Sequence, residues 1–156
     1  MGMREEIQGQ TISQLSLRPY VAVTAETTVR QTVQKMREEE IGAAIVVDQS
    51  GKAVGLFTEK LLVNLLATDP SHMDEQVSHH MSRHLISLRK TDTIAKLILT
   101  MQRHNLRWVC LTDEAGRPVA LTGMRGVIEH VADYFPRLVK VQPFNLNISV
   151  EQREGA

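Results

Sequence analysis

The chain has 156 residues, 42% of them hydrophobic, enough to bury one ordinary globular core or two very small units packed against each other. Eighteen Lys and Arg balance eighteen Asp and Glu, so no long-range field favours nucleic acid or an anionic membrane, and any anion site has to be local. No apolar run approaches the roughly 20 residues of a membrane-spanning helix, the polar stretch 1–10 lacks a signal core, and the lone Cys110 lies in an apolar run. A cytoplasmic chain without an internal disulfide is therefore expected, with Cys110 as a small core residue.

In chain order, residues 1–15 read as a polar N-terminal extension that packs late or onto a partner subunit. A short strand at 21–23 leads into a polar turn, where Thr27 is the expected helix N-cap. Val29, Val33 and Met36 then recur at helical spacing and mark a buried stripe. The apolar run 43–47 enters Asp48-Gln-Ser-Gly51, which is hairpin chemistry, and a strand at 53–57 pairs back. A helix over 59–67 closes this first unit.

The same order then recurs. A strand at 85–88 is followed by Asp92 as expected N-cap, a stripe of Ile94, Leu97, Ile98 and Met101, the run 108–111, the turn Asp113-Glu-Ala-Gly116, a strand at 118–122 and a helix over 124–133. At an offset of 65 residues the halves align without a gap from Pro19/His84 to Val63/Ile128. Thr28/Thr93, Met36/Met101, Asp48/Asp113, Gly51/Gly116, Val54/Val119 and Leu56/Leu121 are identical pairs. That is an internal duplication. A unit of this size buries too little surface alone, so the copies are expected to pack through their sheets about a pseudo-two-fold axis, leaving two related clefts as binding places.

The turn "VVDQSGK" ahead of "AVGLFTEKLL", and "TDEAGRPVALTGMRGV" over residues 112–127, resemble tandem cystathionine-β-synthase domains, the Bateman modules, over about residues 16–132. The resemblance implies an α/β fold of two βαββα repeats, commonly a disc-like homodimer, that regulates and does not catalyse. It divides the chain into an extension at 1–15, repeats at 16–67 and 81–132, a linker at 68–80 and an extended tail at 133–156. It also implies that no cofactor is required. The ligands it implies are AMP, ADP, ATP or S-adenosylmethionine, with signalling passed to an unidentified effector protein.

The family signature is Gly-hydrophobic-x-Thr ending a strand, with an Asp at the start of the following helix. The threonine hydroxyl and helix-start N–H groups hold phosphate, and the carboxylate accepts two hydrogen bonds from a ribose diol. The first copy has Gly55 and Thr58 but Leu61 for the aspartate. The second has Ala120 for the glycine, Gly123 for the threonine, with Thr122 one position earlier, and Gly126 for the aspartate. Cations remain at Lys60 and Arg125, which are equivalent positions, and at Arg107, where family members contact phosphate; as plain surface charges these residues need no ligand. The opposing pocket walls implied by the family are Ala22, Ile41 and Gly42 in one half, and Ile86, Leu106 and Arg107 in the other. Two functions follow: a sensor of an adenosine nucleotide or related phosphorylated metabolite, or a protein-interaction module whose clefts have lost their ligand.

Outside that signature, His72, His79, His80 and His84 cluster between the copies. Imidazoles at this spacing suit Zn²⁺ or Ni²⁺, but without a neighbouring Cys they read as a solvated linker, with Asp74 and Glu75 capping a short helix. Trp108 stands where the first copy has Ala43, so its bulk is expected to fill one cleft or to serve in the core or a dimer interface. The stretch "YFPRLVKVQPF" carries two prolines and reads as an extended strap. No nucleophile, paired-carboxylate motif or phosphate-cradling loop points to catalysis.

Overall fold

The structure, a computed structural model, describes residues 3–134. Helix α1 (Met3–Gly9) comes first, followed by a 3-10 turn at Ile12–Gln14. The first repeat is β1 (Val21–Thr24), α2 (Val29–Glu38), β2 (Ala43–Val47), β3 (Ala53–Thr58) and α3 (Glu59–Thr68). Two further 3-10 turns, Pro70–Asp74 and Val77–His79, lead to the second repeat. It consists of β4 (Ser87–Leu88), α4 (Ile94–His104), β5 (Trp108–Thr112), β6 (Pro118–Gly123) and α5 (Met124–Tyr134). The mixed α/β fold of two matching repeats is thus as the sequence implies, although β4 is two residues long where a strand over 85–88 is expected.

Each repeat holds a three-stranded sheet with its second strand in the centre, parallel to the first and antiparallel to the third. Even the irregularities repeat: a bulge falls between Val46 and Val47 in one copy and between Leu111 and Thr112 in the other. The hairpin turns use one device. Asp48 Oδ1 accepts from the N–H groups of Ser50 (2.8 Å) and Lys52 (3.0 Å), and Asp113 Oδ1 from those of Ala115 (2.9 Å) and Arg117 (3.0 Å). Gly51 and Gly116 take φ of 83° and 80°, the left-handed region that glycine enters without a Cβ penalty. The two turns meet, with the Ala53 N–H donating to the Gly116 carbonyl at 3.0 Å.

Both N-caps lie one residue beyond the expected positions. Thr28 Oγ1 accepts from the Gln31 N–H, and Gln31 Oε1 accepts in return from the Thr28 N–H, a reciprocal capping box; Thr93 Oγ1 accepts from the Lys96 N–H. The Thr27 hydroxyl is instead paired with that of Thr24 at 3.2 Å. Asp92 is displaced because its carboxylate takes the Lys96 ammonium (2.7 Å) and the Arg89 N–H (2.8 Å), which hold its pKa below the usual range.

The central strands explain why a single repeat is insufficient. Ala43, Ala44, Ile45 and Val46 are all buried, as are Val109, Cys110, Leu111 and Thr112, so each strand is covered on both faces. Along β5 the side chains alternate. Val109 and Leu111 join the second repeat's core with Ile94, Leu97 and Met101, whereas Cys110 and, from β6, Leu121 join the first repeat's core with Ile45 and Phe57. Burial pushes the Cys110 thiol up to about 12, which keeps it protonated and a packing residue.

The segment ahead of each repeat is fastened to the other repeat. Ile12 is fully buried in the second repeat's core with Leu15, and Val77 is fully buried in the first repeat's core. The backbone bonds match at the 65-residue offset. The N–H of Ile12 donates to Asp92 (2.9 Å) as that of Val77 does to Thr27 (2.8 Å), and the N–H of Ile94 donates to Gln10 (2.9 Å) as that of Val29 does to Glu75 (2.9 Å). Farther along, Arg18 bridges to Leu121 in β6, and Ser82 bridges to Leu56 in β3. Of the expectation that residues 1–15 pack late or onto a partner subunit, the partner-subunit alternative is therefore corrected for residues 10–15. They complete the second repeat of their own chain, and the later part of the 68–80 linker completes the first.

Candidate functional site

The strand-to-helix junctions after β3 and β6 are where the signature residues fall, and the two differ. After β3, the half-buried Thr58 caps α3, its Oγ1 accepting from the Leu61 N–H at 3.3 Å. Lys60 is exposed and Leu61 half-buried against the first core. The Gly42 carbonyl accepts from the Glu59 N–H at 3.0 Å, tying the start of β2 to the start of α3.

Trp108 spans the two repeats at this point. A Cβ on Gly42 would stand 3.0 Å from both Trp108 Cζ2 and Glu59 Cδ, so the indole of the second repeat and the first carboxylate of α3 lie over that glycine. Of the roles expected of Trp108, filling one cleft or joining the core corresponds to this contact. Its neighbour Arg107 is exposed, as is Lys60, which follows Glu59. Of the remaining walls, Ile41 and Gly42 are buried, Ile86 and Leu106 half-buried, and Ala22 exposed. Ile41 is core, and Gly42 is covered.

After β6 there is no room for a threonine. A Cβ on Gly123 would meet the Arg107 carbonyl oxygen at 2.5 Å and Trp108 Cε3 at 3.3 Å, so backbone occupies the place a threonine side chain needs. Thr122 is buried at 5% exposure, with its Oγ1 3.5 Å from where Gly126 would carry a Cβ. Arg125, exposed, is committed to Glu129 at 3.0 Å, and Glu129 also takes Arg18 at 3.1 Å. The two clefts expected from symmetry are therefore unequal.

The histidines segregate. His72 Nδ1 lies 2.9 Å from Glu75 Oε1, and His80 Nε2 lies 2.7 Å from Glu75 Oε2. Hydrogen bonds from His72 and then His80 hold the Glu75 carboxyl below its usual range, and the bond to Glu75 raises the His72 imidazole. His84 lies instead beside His104, their ring centroids 6.0 Å apart. Asp74 pairs with Arg30 at 2.8 Å, while Asp69 Oδ1 accepts from the Ser71 N–H and caps the Pro70–Asp74 turn. The expected capping by Asp74 and Glu75 is thus replaced, because both carboxylates are held by cationic or imidazole partners.

Two hollows lie away from these junctions. One of about 340 Å³ is bounded by Gln14, Ser16, Glu129 and His130, and one of about 310 Å³ runs along α2 beside Gln31 and Lys35. The tail expected to form an extended strap falls outside the described residues, apart from Tyr134, which ends α5. Among the described residues no helix is long and apolar enough to cross a membrane.

Comparison with known proteins matches this geometry. A family model for the CBS domain fits residues 12–68 and again 76–133, so each match includes the buried Ile12 or Val77 of the preceding segment. An uncharacterized protein of Methanopyrus kandleri is 20% identical over 120 residues, or 76% of this chain; the chain spans 61% of that relative's length and 26% of the next one's. Among solved structures, a CBS domain pair in complex with 5′-methylthioadenosine and S-adenosyl-L-methionine superposes at a TM-score of 0.73. It is 16% identical, over 80% of this chain and 98% of the other. A CBS domain protein from Pyrobaculum aerophilum complexed with AMP superposes at 0.68, with 20% identity over 78% and 98% of the two chains. With the fold shared and the family model matched twice, the chain belongs to the CBS-domain family, as a tandem pair.

Proposed function

We propose that this CBS pair is a regulatory ligand-binding module, without catalytic activity, that takes an adenosine compound at the junction of β3, α3 and the start of β5, and passes the signal to an effector protein. The observation that carries the reading is the inequality of the junctions. The first keeps the Gly55–Thr58 strand end, a threonine at the helix start and exposed Lys60 and Arg107; the second has Gly123 for the threonine, with the Arg107 carbonyl where a side chain there would begin. Two relatives of the same fold, solved with AMP or with 5′-methylthioadenosine and S-adenosyl-L-methionine, support this ligand class. Lys60 and Arg107 supply cationic donors, while Glu59 beside them opposes a polyphosphate, which favours a compound of low negative charge over ATP.

A thermal-shift series with AMP, ADP, ATP, 5′-methylthioadenosine and S-adenosylmethionine tests the ligand class, because a native-state ligand raises the melting temperature by mass action. Calorimetry with the Lys60→Ala and Arg107→Ala variants tests the residues. Each lost charge-assisted hydrogen bond is worth about 1.5–3 kcal/mol, so roughly a tenfold or greater loss of affinity is expected. Unchanged affinity removes both residues from the site.

The module is further proposed to be a homodimer. Val63 and Ile128 occupy equivalent positions on α3 and α5 and are 63% and 60% exposed, with Leu66 and Met124 beside them, so each repeat offers a matching apolar helix face that a second copy would cover. Sedimentation equilibrium is expected to give twice the chain mass; a monomer at tens of micromolar would remove this part of the proposal. The second reading, a docking module with degenerate clefts, rests on Leu61 and Gly126 at the two aspartate positions. It becomes the better one if none of the five adenosine compounds shifts the melting temperature.

A further inference from the structure

We propose that His72, Glu75 and His80 form a divalent transition-metal site, suited to Zn²⁺, that cross-links the inter-repeat segment within itself. Two imidazole nitrogens and one carboxylate are the donor set of three-ligand zinc sites, which leave a fourth position for water or another ligand. The donor atoms of all three side chains already lie within 4.8 Å of one another. Both nitrogens face the same carboxylate, at 2.9 and 2.7 Å. Zinc–ligand bonds of about 2.0–2.2 Å place tetrahedral donors roughly 3.3 Å apart, so the two N···O contacts, now 2.9 and 2.7 Å, have to open slightly, while the rings, 5.2 Å between centroids, already stand at a separation that two zinc-bound imidazoles can share.

The pseudo-symmetry gives an independent reason to assign a role here. At the 65-residue offset the counterparts of His72, Glu75 and His80 are Ile7, Gln10 and Leu15. In that copy the segment is fastened by apolar packing, with Leu15 buried at 5% exposure and Ile7 against the same core. The other copy keeps its buried anchor, Val77, but places imidazoles at the two apolar positions and a carboxylate at the third, so metal-binding side chains stand where the first-mentioned copy has apolar packing. The backbone there is held independently. The Glu75 carbonyl accepts from the Val29 N–H, Asp69 caps the turn bearing His72, and Arg30 holds Asp74. Such support limits the ordering that a metal would have to impose.

The full chain, dialysed against chelator, is titrated with Zn²⁺ in a calorimeter and with Co²⁺ in a visible spectrometer. Saturable binding of one ion per chain and a Co²⁺ absorption of tetrahedral type are expected, together with a rise in melting temperature on adding Zn²⁺. His72→Gln with His80→Gln is expected to lose more than about 100-fold in affinity, while His79→Gln leaves it unchanged. Far-UV circular dichroism verifies that the double variant is folded. Absence of binding by the folded parent, or binding indifferent to the double substitution, overturns the proposal, and a Zn²⁺ affinity that falls equally with His79→Gln overturns it as well. The readouts contain no adenosine ligand, so failure here is separate from failure of the nucleotide proposal.

Discussion

Deleting residues 1–15 is expected to destabilise the second repeat severely, although the segment reads as a dispensable extension. The deletion removes Ile12, fully buried, and Leu15, 5% exposed, from a core otherwise made by Ile94, Leu97, Met101, Val109 and Leu111. It also removes the Gln10 carbonyl that accepts from the Ile94 N–H at the start of α4, and the Gln10 side chain at 2.8 Å from His130 Nε2. Ile12→Ala alone is expected to cost about 3 kcal/mol, within the roughly 2–5 kcal/mol typical of truncating a buried isoleucine. Domains of this size are stable by only about 5–15 kcal/mol, so the full deletion takes away most of the margin. Urea denaturation followed by circular dichroism measures it. A truncated chain with the parental midpoint would falsify the role given to this segment. Val77→Ala, the counterpart in the first repeat, is expected to act in the same direction with a smaller loss, because valine carries less apolar surface.

The second large effect is expected from Gly123→Thr, the change that would restore the family threonine in the second repeat. The obstacle is backbone: the new Cβ would stand 2.5 Å from the Arg107 carbonyl oxygen and 3.3 Å from Trp108 Cε3. A flexible side chain can rotate away from such a contact, but a carbonyl between α4 and β5 moves only with the chain around it. The expected loss is at or above the upper end of the roughly 1–3 kcal/mol found for overpacked cores, with no gain in adenosine binding. Thermal denaturation and calorimetry read the two parts separately. If the variant kept its stability and bound nucleotide more tightly, the Arg107 carbonyl would have to lie elsewhere in solution.

The duplication was legible because the positions that fix geometry kept their identity. The turn pairs Asp48/Asp113 and Gly51/Gly116 hold hairpins of the same construction, and Met36/Met101 mark the same buried helix face. The preceding segments were missed because their function rests on backbone bonds and on one buried side chain of changing type, Ile12 in one copy and Val77 in the other. A signal was present: the ungapped offset continues back through Arg18/Arg83, Ser13/Ser78 and Ile12/Val77. The N-caps were misplaced by one residue because adjacent Thr27 and Thr28 are chemically equal, and only the structure pairs the Thr27 hydroxyl with that of Thr24. At the candidate site, the loss of both aspartates was plain in the sequence. The lack of room for a threonine at the second junction was not, because it depends on where the Arg107 carbonyl comes to rest.

The crossed fastening also orders events during synthesis. The first repeat receives Val77 within a few residues of the end of α3, so it closes soon after it is made. The second repeat's missing piece, Ile12 and Leu15, is made before every strand of the described chain. At ~5–20 residues per second, that apolar segment stays without its groove for on the order of ten seconds. A nascent chain therefore exposes a sticky N-terminal hook throughout the making of everything it will later grip, and two chains growing side by side on one message can each offer that hook to the other.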